Sequence, residues 1–294
     1  MKMKWIIYLV LGLNAQLVFG QVPDSLTRIF VYTPVKVSSI VDSSFIQKKV
    51  KTERFTYVSV DSFITSAFLT HPIVPKPDRP LIIFQHWGEG DKSEFLEEAK
   101  GFSKKGFVCI MPDAPWLCPN TSISSFKRQG FAMYRQCVMN VRTAIDLAMQ
   151  NMDIDTTHIY VVGHSFGCNT GAILSAVDDR IDYFVFMAGL SSMTKNLQET
   201  QLPDFVEWRV TDPNQFRNWI KTTRILDAEL YLPYKTVPGL IQVANQDEYI
   251  SNDENDAFIN VTADPKTVKK YDSLHALNEQ AQEDRRKWIF KHLK

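Results

Sequence analysis

Residues Gly163-His164-Ser165-Phe166-Gly167 spell G-x-S-x-G, and their flanks restrict what the backbone can do there. His158-Ile159-Tyr160-Val161-Val162 precedes the pattern, a β-branched and aromatic run that reads as a buried strand. Cys168 to Ala176 follows, small and apolar, and reads as a buried helix. A strand joined to a helix through Gly163 and Gly167 makes a sharp elbow, because a side chain at either glycine would clash in so tight a turn. Ser165, with His164 and Phe166 beside it, is then held above the carboxyl edge of a sheet. Such an element needs a parallel sheet around it and helices to cover both faces.

The rest of the chain supplies them. Leu81-Ile82-Ile83-Phe84 and Phe107 to Met111 are continuous apolar runs, as buried parallel strands require. Between them Asp91 and Glu94 have capping-box spacing, Phe95, Ala99 and Phe102 share one face, and Lys104-Lys105-Gly106 closes the helix. A long helix is predicted from about Gly130 to Asn151, with Tyr134, Val138, Val141, Ile145 and Ala148 aligned. Further strands are predicted at Tyr183 to Ala188, Leu240 to Ala244 and Lys266 to Tyr271, with helices near Asn255 to Val261 and Asn278 to His292. Arg54 to Val60 and Phe63 to Leu69 alternate around Asp61-Ser62, predicting an antiparallel pair. The order defines an α/β fold, a mostly parallel central sheet with helices on both faces. Residues 190–235 interrupt the rhythm with Phe205, Trp208, Phe216, Trp219, Tyr231 and Tyr234, and Asp212-Pro213 opens a helix among them. These aromatics either line an apolar pocket, as a cap over the sheet edge, or bury a small helical core of their own.

The first 20 residues stand apart. Lys2 and Lys4 precede an apolar run from Trp5 to Leu13, and Val18-Phe19-Gly20 offers a cleavage point before Gln21, as in a signal peptide. The run is too short to span a bilayer comfortably. No cysteine follows the cleavage point, so a secreted or periplasmic protein without a lipid anchor is expected. The expected organisation is a signal peptide at 1–20, an N-terminal extension at 21–52 with about one strand, and an α/β domain at 53–294. The chain carries 33 basic and 33 acidic residues. With no basic stripe to neutralise phosphates, this balance argues against nucleic-acid and anionic-membrane partners. Cys109, Cys118, Cys137 and Cys168 contain no C-x-x-C and no histidine at zinc spacing, which argues against a structural metal. In an oxidising compartment Cys118 and Cys137 could bridge, whereas Cys109 and Cys168 read as small core residues.

A serine hydroxyl becomes a nucleophile only when a base accepts its proton and a third group orients that base. On an elbow of this kind the partners follow in chain order, acid and then histidine. His71 and His86 precede the serine, His158 begins the elbow strand at the wrong edge, and His292 is in the terminal tail. His164 neighbours Ser165, but its side chain should diverge from the hydroxyl. His275 alone follows the last predicted strand at the edge where the serine emerges. The acid is expected after Leu240 to Ala244, where Asn245-Gln246-Asp247-Glu248 follows. Asp247 is the first choice, Glu248 its near rival and Asp253 a distant one. An oxyanion needs two backbone N–H groups. One is expected from Phe166, the other from Trp87 or Gly88 in the loop Gln85-His86-Trp87-Gly88-Glu89-Gly90.

With Gln85-His86-Trp87-Gly88, Met111-Pro112-Asp113-Ala114-Pro115, Gly163 to Gly167, Asp247 and His275 in this order, the chain resembles the α/β-hydrolase fold superfamily. Within it the likeness is to the dienelactone-hydrolase-like and esterase-like branches. The resemblance runs from about Arg54 to the C-terminus. It implies a serine hydrolase acting on a small ester or acyl substrate through an acyl-enzyme on Ser165, without metal or organic cofactor. Many relatives carry His-Gly at the oxyanion loop; here Trp87 follows His86, a ring that either shapes the acyl pocket or obstructs it. Two other functions fit the same fold: a peptidase or amidase, and a non-catalytic binding protein in which Trp87 closes the oxyanion site. A dehalogenase would need a carboxylate where Ser165 stands.

Overall fold

Successive side chains of a strand point to opposite faces, and in the computed structural model, which describes residues 22–293, each face of the sheet finds its own core. Leu81, Ile83, Ile159, Val161, Phe184, Phe186, Ile241 and Val243 pack on one side. Ile82, Phe84, Tyr160, Val162, Val185, Met187 and Leu240 pack on the other. This is why these runs are apolar at every position rather than at alternate ones. The expected signal peptide lies outside the described residues. Among those residues no helix is long and apolar enough to cross a membrane.

The described residues begin with a short helix α1 (Asp24–Thr27) and three strands, β1 (Ser39–Gln47), β2 (Val50–Val58) and β3 (Ile64–Pro72). These pair antiparallel in sequence. The segment read as an extension therefore supplies a full edge strand, and its boundary at 52/53 falls inside β2. All nine residues of β1 are exposed, so neither face carries the burial that would have imprinted a period on its sequence. The elements then alternate: β4 (Arg79–Gln85), α2 (Leu96–Ser103), β5 (Val108–Pro112), α3 (Ile123–Arg128), α4 (Gly130–Asn151), β6 (Ile154–His164), α5 (Phe166–Val177) and β7 (Tyr183–Met187). After α6 (Met193–Glu199), α7 (Pro203–Thr211) and α8 (Pro213–Thr223) come β8 (Gly239–Ala244), α9 (Asn252–Val261), β9 (Lys266–Tyr271) and α10 (Glu279–Lys291).

Among the described residues nine strands form one sheet in the order β1-β2-β3-β5-β4-β6-β7-β8-β9, parallel from β5 onwards. Helices α4 and α5 cover one face, α2 and α10 the other. From β4 the chain crosses to β5 on one side and returns through α4 to β6 on the other. The loops after β4 and β6 therefore diverge from adjacent strands and leave a crevice at the carboxyl edge. Gln85 and Gly163, the last paired positions there, sit side by side.

Three expectations change. Asp91 and Glu94 form no capping box: α2 begins at Leu96, with Phe95 at its uncapped start, and the Glu94 carboxylate is used elsewhere. Helix α9 does have one, from Ser251 and Glu254. Cys118 and Cys137 do not bridge; all four cysteines are free buried thiols, and burial pushes Cys118 up to about 11. The insertion's aromatics belong to the main core. Trp208 packs edge-on to Phe216 and Trp219, and Trp219 reaches Phe126 beneath the elbow helix. Buried Asp227 staples the end of the insertion to its start, accepting hydrogen bonds from the Ser192 hydroxyl and the Thr194 N–H.

Candidate active site

Ser165 sits at the apex between β6 and α5 with φ 53° and ψ −109°. That conformation costs an L-residue strain, which persists only where the surroundings impose it. A Cβ on Gly163 would meet the Gly167 carbonyl oxygen at 2.3 Å, and a Cβ on Gly167 the Gln85 carbonyl oxygen at the same distance. Both glycines are therefore required by close backbone approach. The elbow is fixed from below as well: the Ser165 N–H donates to the Met187 carbonyl (2.8 Å), and Phe166 is wedged among Trp116, Tyr134 and Phe126.

The acid loop after β8 and the histidine loop after β9 come together as their parallel pairing requires. His275 Nδ1 lies 2.9 and 2.8 Å from the two carboxylate oxygens of Asp247. Asp247 Oδ1 also accepts the N–H groups of Tyr249 and Ile250, and its side chain is fully buried. Glu248, the near rival, instead accepts the backbone N–H of His275 at 3.0 Å. Asp253 is exposed in the first turn of α9. His164, next to Ser165, stacks its ring 5.0 Å from that of His275, which brings the histidine loop against the elbow. Among the described residues neither the Ser165 hydroxyl nor His275 Nε2 has a hydrogen-bond partner.

The oxyanion-side loop is held by the Met111–Pro115 segment. His86 Nε2 accepts the Ala114 N–H (2.9 Å), so its proton resides on Nδ1, which donates to the Trp87 carbonyl (2.6 Å). Burial holds the ring below the ordinary histidine value, in keeping with this neutral form. Asp113 takes both the backbone N–H and the ammonium of Lys92. The Trp87 N–H is occupied, donating to Glu94 Oε2 at 2.9 Å. Among the described residues the N–H groups of Gly88 and Phe166 are not, and a Cβ on Gly88 would lie 4.0 Å from that of Phe166.

Trp87 follows β4 by two residues. Its ring leans on His164, Tyr249 and His275 and walls a cleft of about 640 Å³ between α2 and the histidine loop, whose lining includes Met187 and Leu277. A second cleft, of about 550 Å³, lies across the acid loop, against α6. Sequence reasoning missed Glu94, whose spacing matched a cap. No local pattern marks a carboxylate that reaches Trp87 and His164 instead.

The chain belongs to the α/β-hydrolase fold family, whose model matches residues 80–293. No curated protein sequence matches it. Among solved structures it is similar to an acetyl xylan esterase from Paenibacillus sp. R4, with a TM-score of 0.75 and 17% identity over 91% of this chain and 92% of that one. It is similar too to acetyl xylan esterase 1 from Thermoanaerobacterium sp. JW/SL YS485, with a TM-score of 0.73 and 15% identity over 93% and 95% of the two chains. A cold-adapted esterase from an Arctic intertidal metagenomic library follows, with a TM-score of 0.65 and 16% identity over 86% and 98%. At these identities the likeness is one of fold.

Proposed function

We propose that the protein is an exported serine hydrolase that cleaves a small carboxylic ester. The observation that carries this reading is the buried Asp247 carboxylate on His275 Nδ1, beside a strained serine at the apex of an elbow. Export is proposed on the N-terminal sequence, and ester cleavage draws support from the esterases that share the fold.

In the proposed reaction Asp247 holds the proton of His275 on Nδ1 and leaves Nε2 to accept the Ser165 proton. The Ser165 Oγ attacks the carbonyl carbon. The resulting oxyanion accepts hydrogen bonds from the N–H groups of Phe166 and Gly88, at the positive end of α5. Gly88 rather than Trp87 takes this role, because the Trp87 N–H is already committed to Glu94. His275 Nε2–H then protonates the departing alkoxide. Finally it deprotonates a water that releases the acid from Ser165.

Fluorophosphonate labelling of the wild type, Ser165→Ala and His275→Ala tests this, alongside turnover of short acyl esters and aminoacyl amides. Labelling lost in both variants and ester turnover lost in Ser165→Ala are expected. A folded wild type that neither labels nor turns over would favour the binding-protein reading. Amides cleaved faster than esters would make it a peptidase.

A further inference from the structure

His164 takes no part in the chemistry just described, yet its buried ring is bonded at both nitrogens. Nδ1 lies 2.6 Å from Glu94 Oε1, and Nε2 lies 3.0 Å from the His275 carbonyl oxygen. The carbonyl oxygen can only accept, so Nε2 carries a proton, and a single proton bridges Nδ1 and Glu94 Oε1. The other Glu94 oxygen accepts the Trp87 N–H at 2.9 Å. The hydrogen-bonded pair of Glu94 and His164 thus ties together the loop after β4, the elbow and the loop after β9. His164 is the last residue of β6 and pairs with Met187 of β7, so the pair anchors two loops to the rigid sheet.

We propose that Glu94 and His164 are a positioning pair for the hydrolysis assigned to Ser165, and the proposal rests on that assignment. The pair acts at two places. It grips the His275 carbonyl, while Glu248 grips the His275 N–H and Asp247 the ring; the base is held from three sides. It also consumes the Trp87 N–H, which leaves the next amide, that of Gly88, as the free donor near Phe166. The same hydrogen-bonded pair therefore sets the separation between the base and the oxyanion donors. Both proton transfer and oxyanion stabilisation depend steeply on that separation. Outer carboxylate–histidine contacts of this kind elsewhere orient the groups that do the chemistry without touching substrate.

The test is steady-state hydrolysis of a short p-nitrophenyl ester by Glu94→Ala, Glu94→Gln, His164→Gln and the Glu94→Ala/His164→Gln double variant. Rates are normalised to sites titrated by fluorophosphonate, so that unfolded protein is not counted. Glu94→Ala should lower kcat about 10- to 100-fold with KM within about 3-fold of wild type. Glu94→Gln should recover part of the loss, because its amide can donate to a neutral His164 while its oxygen keeps the Trp87 N–H. The double variant should be no more than about 3-fold worse than the poorer single, since both substitutions break one connection. Wild-type kcat per titrated site in the single variants would overturn the pair, as would single losses that multiply in the double, whatever happens to Tm. Should Glu94→Ala not fold, the volume-conserving Glu94→Gln and His164→Gln decide. A lowered kcat at unchanged KM in either supports the pair, and wild-type kcat in both overturns it. An inactive, unlabelled wild type would instead remove the Ser165 assignment beneath it.

Discussion

Trp219 in the insertion and Trp87 at the carboxyl edge carry the same indole into different surroundings. Trp219 is almost fully buried, packs on Phe126 and Trp208, and donates its ring N–H to the Phe126 carbonyl. Trp87 stays partly exposed, with its ring against two histidines and Tyr249, and its backbone is held at both the N–H and the carbonyl. The aromatic-rich insertion is thus a place where large rings exclude water from the core. The edge loops bury polar side chains such as His86, Asp113 and His275, and there hydrogen bonds fix position. Aromatic content by itself does not distinguish a substrate pocket from a packed subdomain; the neighbours do.

The sharpest break of that comparison is within the edge itself. Asp247→Asn should lower kcat by about 10³- to 10⁴-fold, because the amide favours the wrong tautomer of His275. Glu248→Gln should cost less than about 10-fold, since it touches only the His275 backbone. A larger loss from Glu248→Gln than from Asp247→Asn, measured per titrated site, would exchange their roles. Next comes Trp219→Ala, expected to destabilise by about 3–5 kcal/mol in denaturant unfolding, while surviving enzyme keeps its kcat. Trp87→Ala should do the reverse: little loss of stability and a changed KM across esters of increasing acyl length. A loss of kcat in Trp219→Ala at full folding would make the insertion part of the site.

The smallest effect concerns the end of the insertion. Lys235 is wholly buried, and desolvation lowers its ammonium from the ordinary lysine value to about 8. Its nitrogen donates to the Val237 and Pro265 carbonyls, which a neutral amine can also do. Between about pH 8 and the ordinary lysine value the unfolded chain binds this proton and the folded chain does not. Stability from this group therefore rises with pH across that window and is lowest below it. The Tm difference between wild type and Lys235→Met should move in the wild type's favour from pH 8 to 10. A flat difference would mean the group titrates normally.

The elbow and the strands around it were legible because each is a local pattern. Runs such as Leu81 to Phe84 report burial on two faces directly. The bounds of β1, the strand expected in the extension, were not legible because an edge strand exposed on both sides leaves no such record. Glu94 was misread because capping-box spacing is a short-range signal, and its carboxylate answers a longer-range one. The choice between Asp247 and Glu248 lay beyond sequence, since adjacent residues point in different directions and only the position of His275 decides between them. The same holds for Trp87 against Gly88, where the proposed choice rests on a carboxylate seven residues away from Trp87 in the chain.

By itself the sequence determined the α/β architecture, the sharp turn at Gly163 to Gly167, and which residue types could perform acyl chemistry. Periodicity and steric need are properties of a few neighbouring residues, and they are written locally. Only the tertiary structure decided that the insertion's rings belong to the core and that the cysteines stay apart. It alone linked Glu94 and His164, 70 residues apart, to a carbonyl 111 residues further on. Those outcomes depend on separations between distant segments, which the packing of the whole sheet sets and no local pattern encodes.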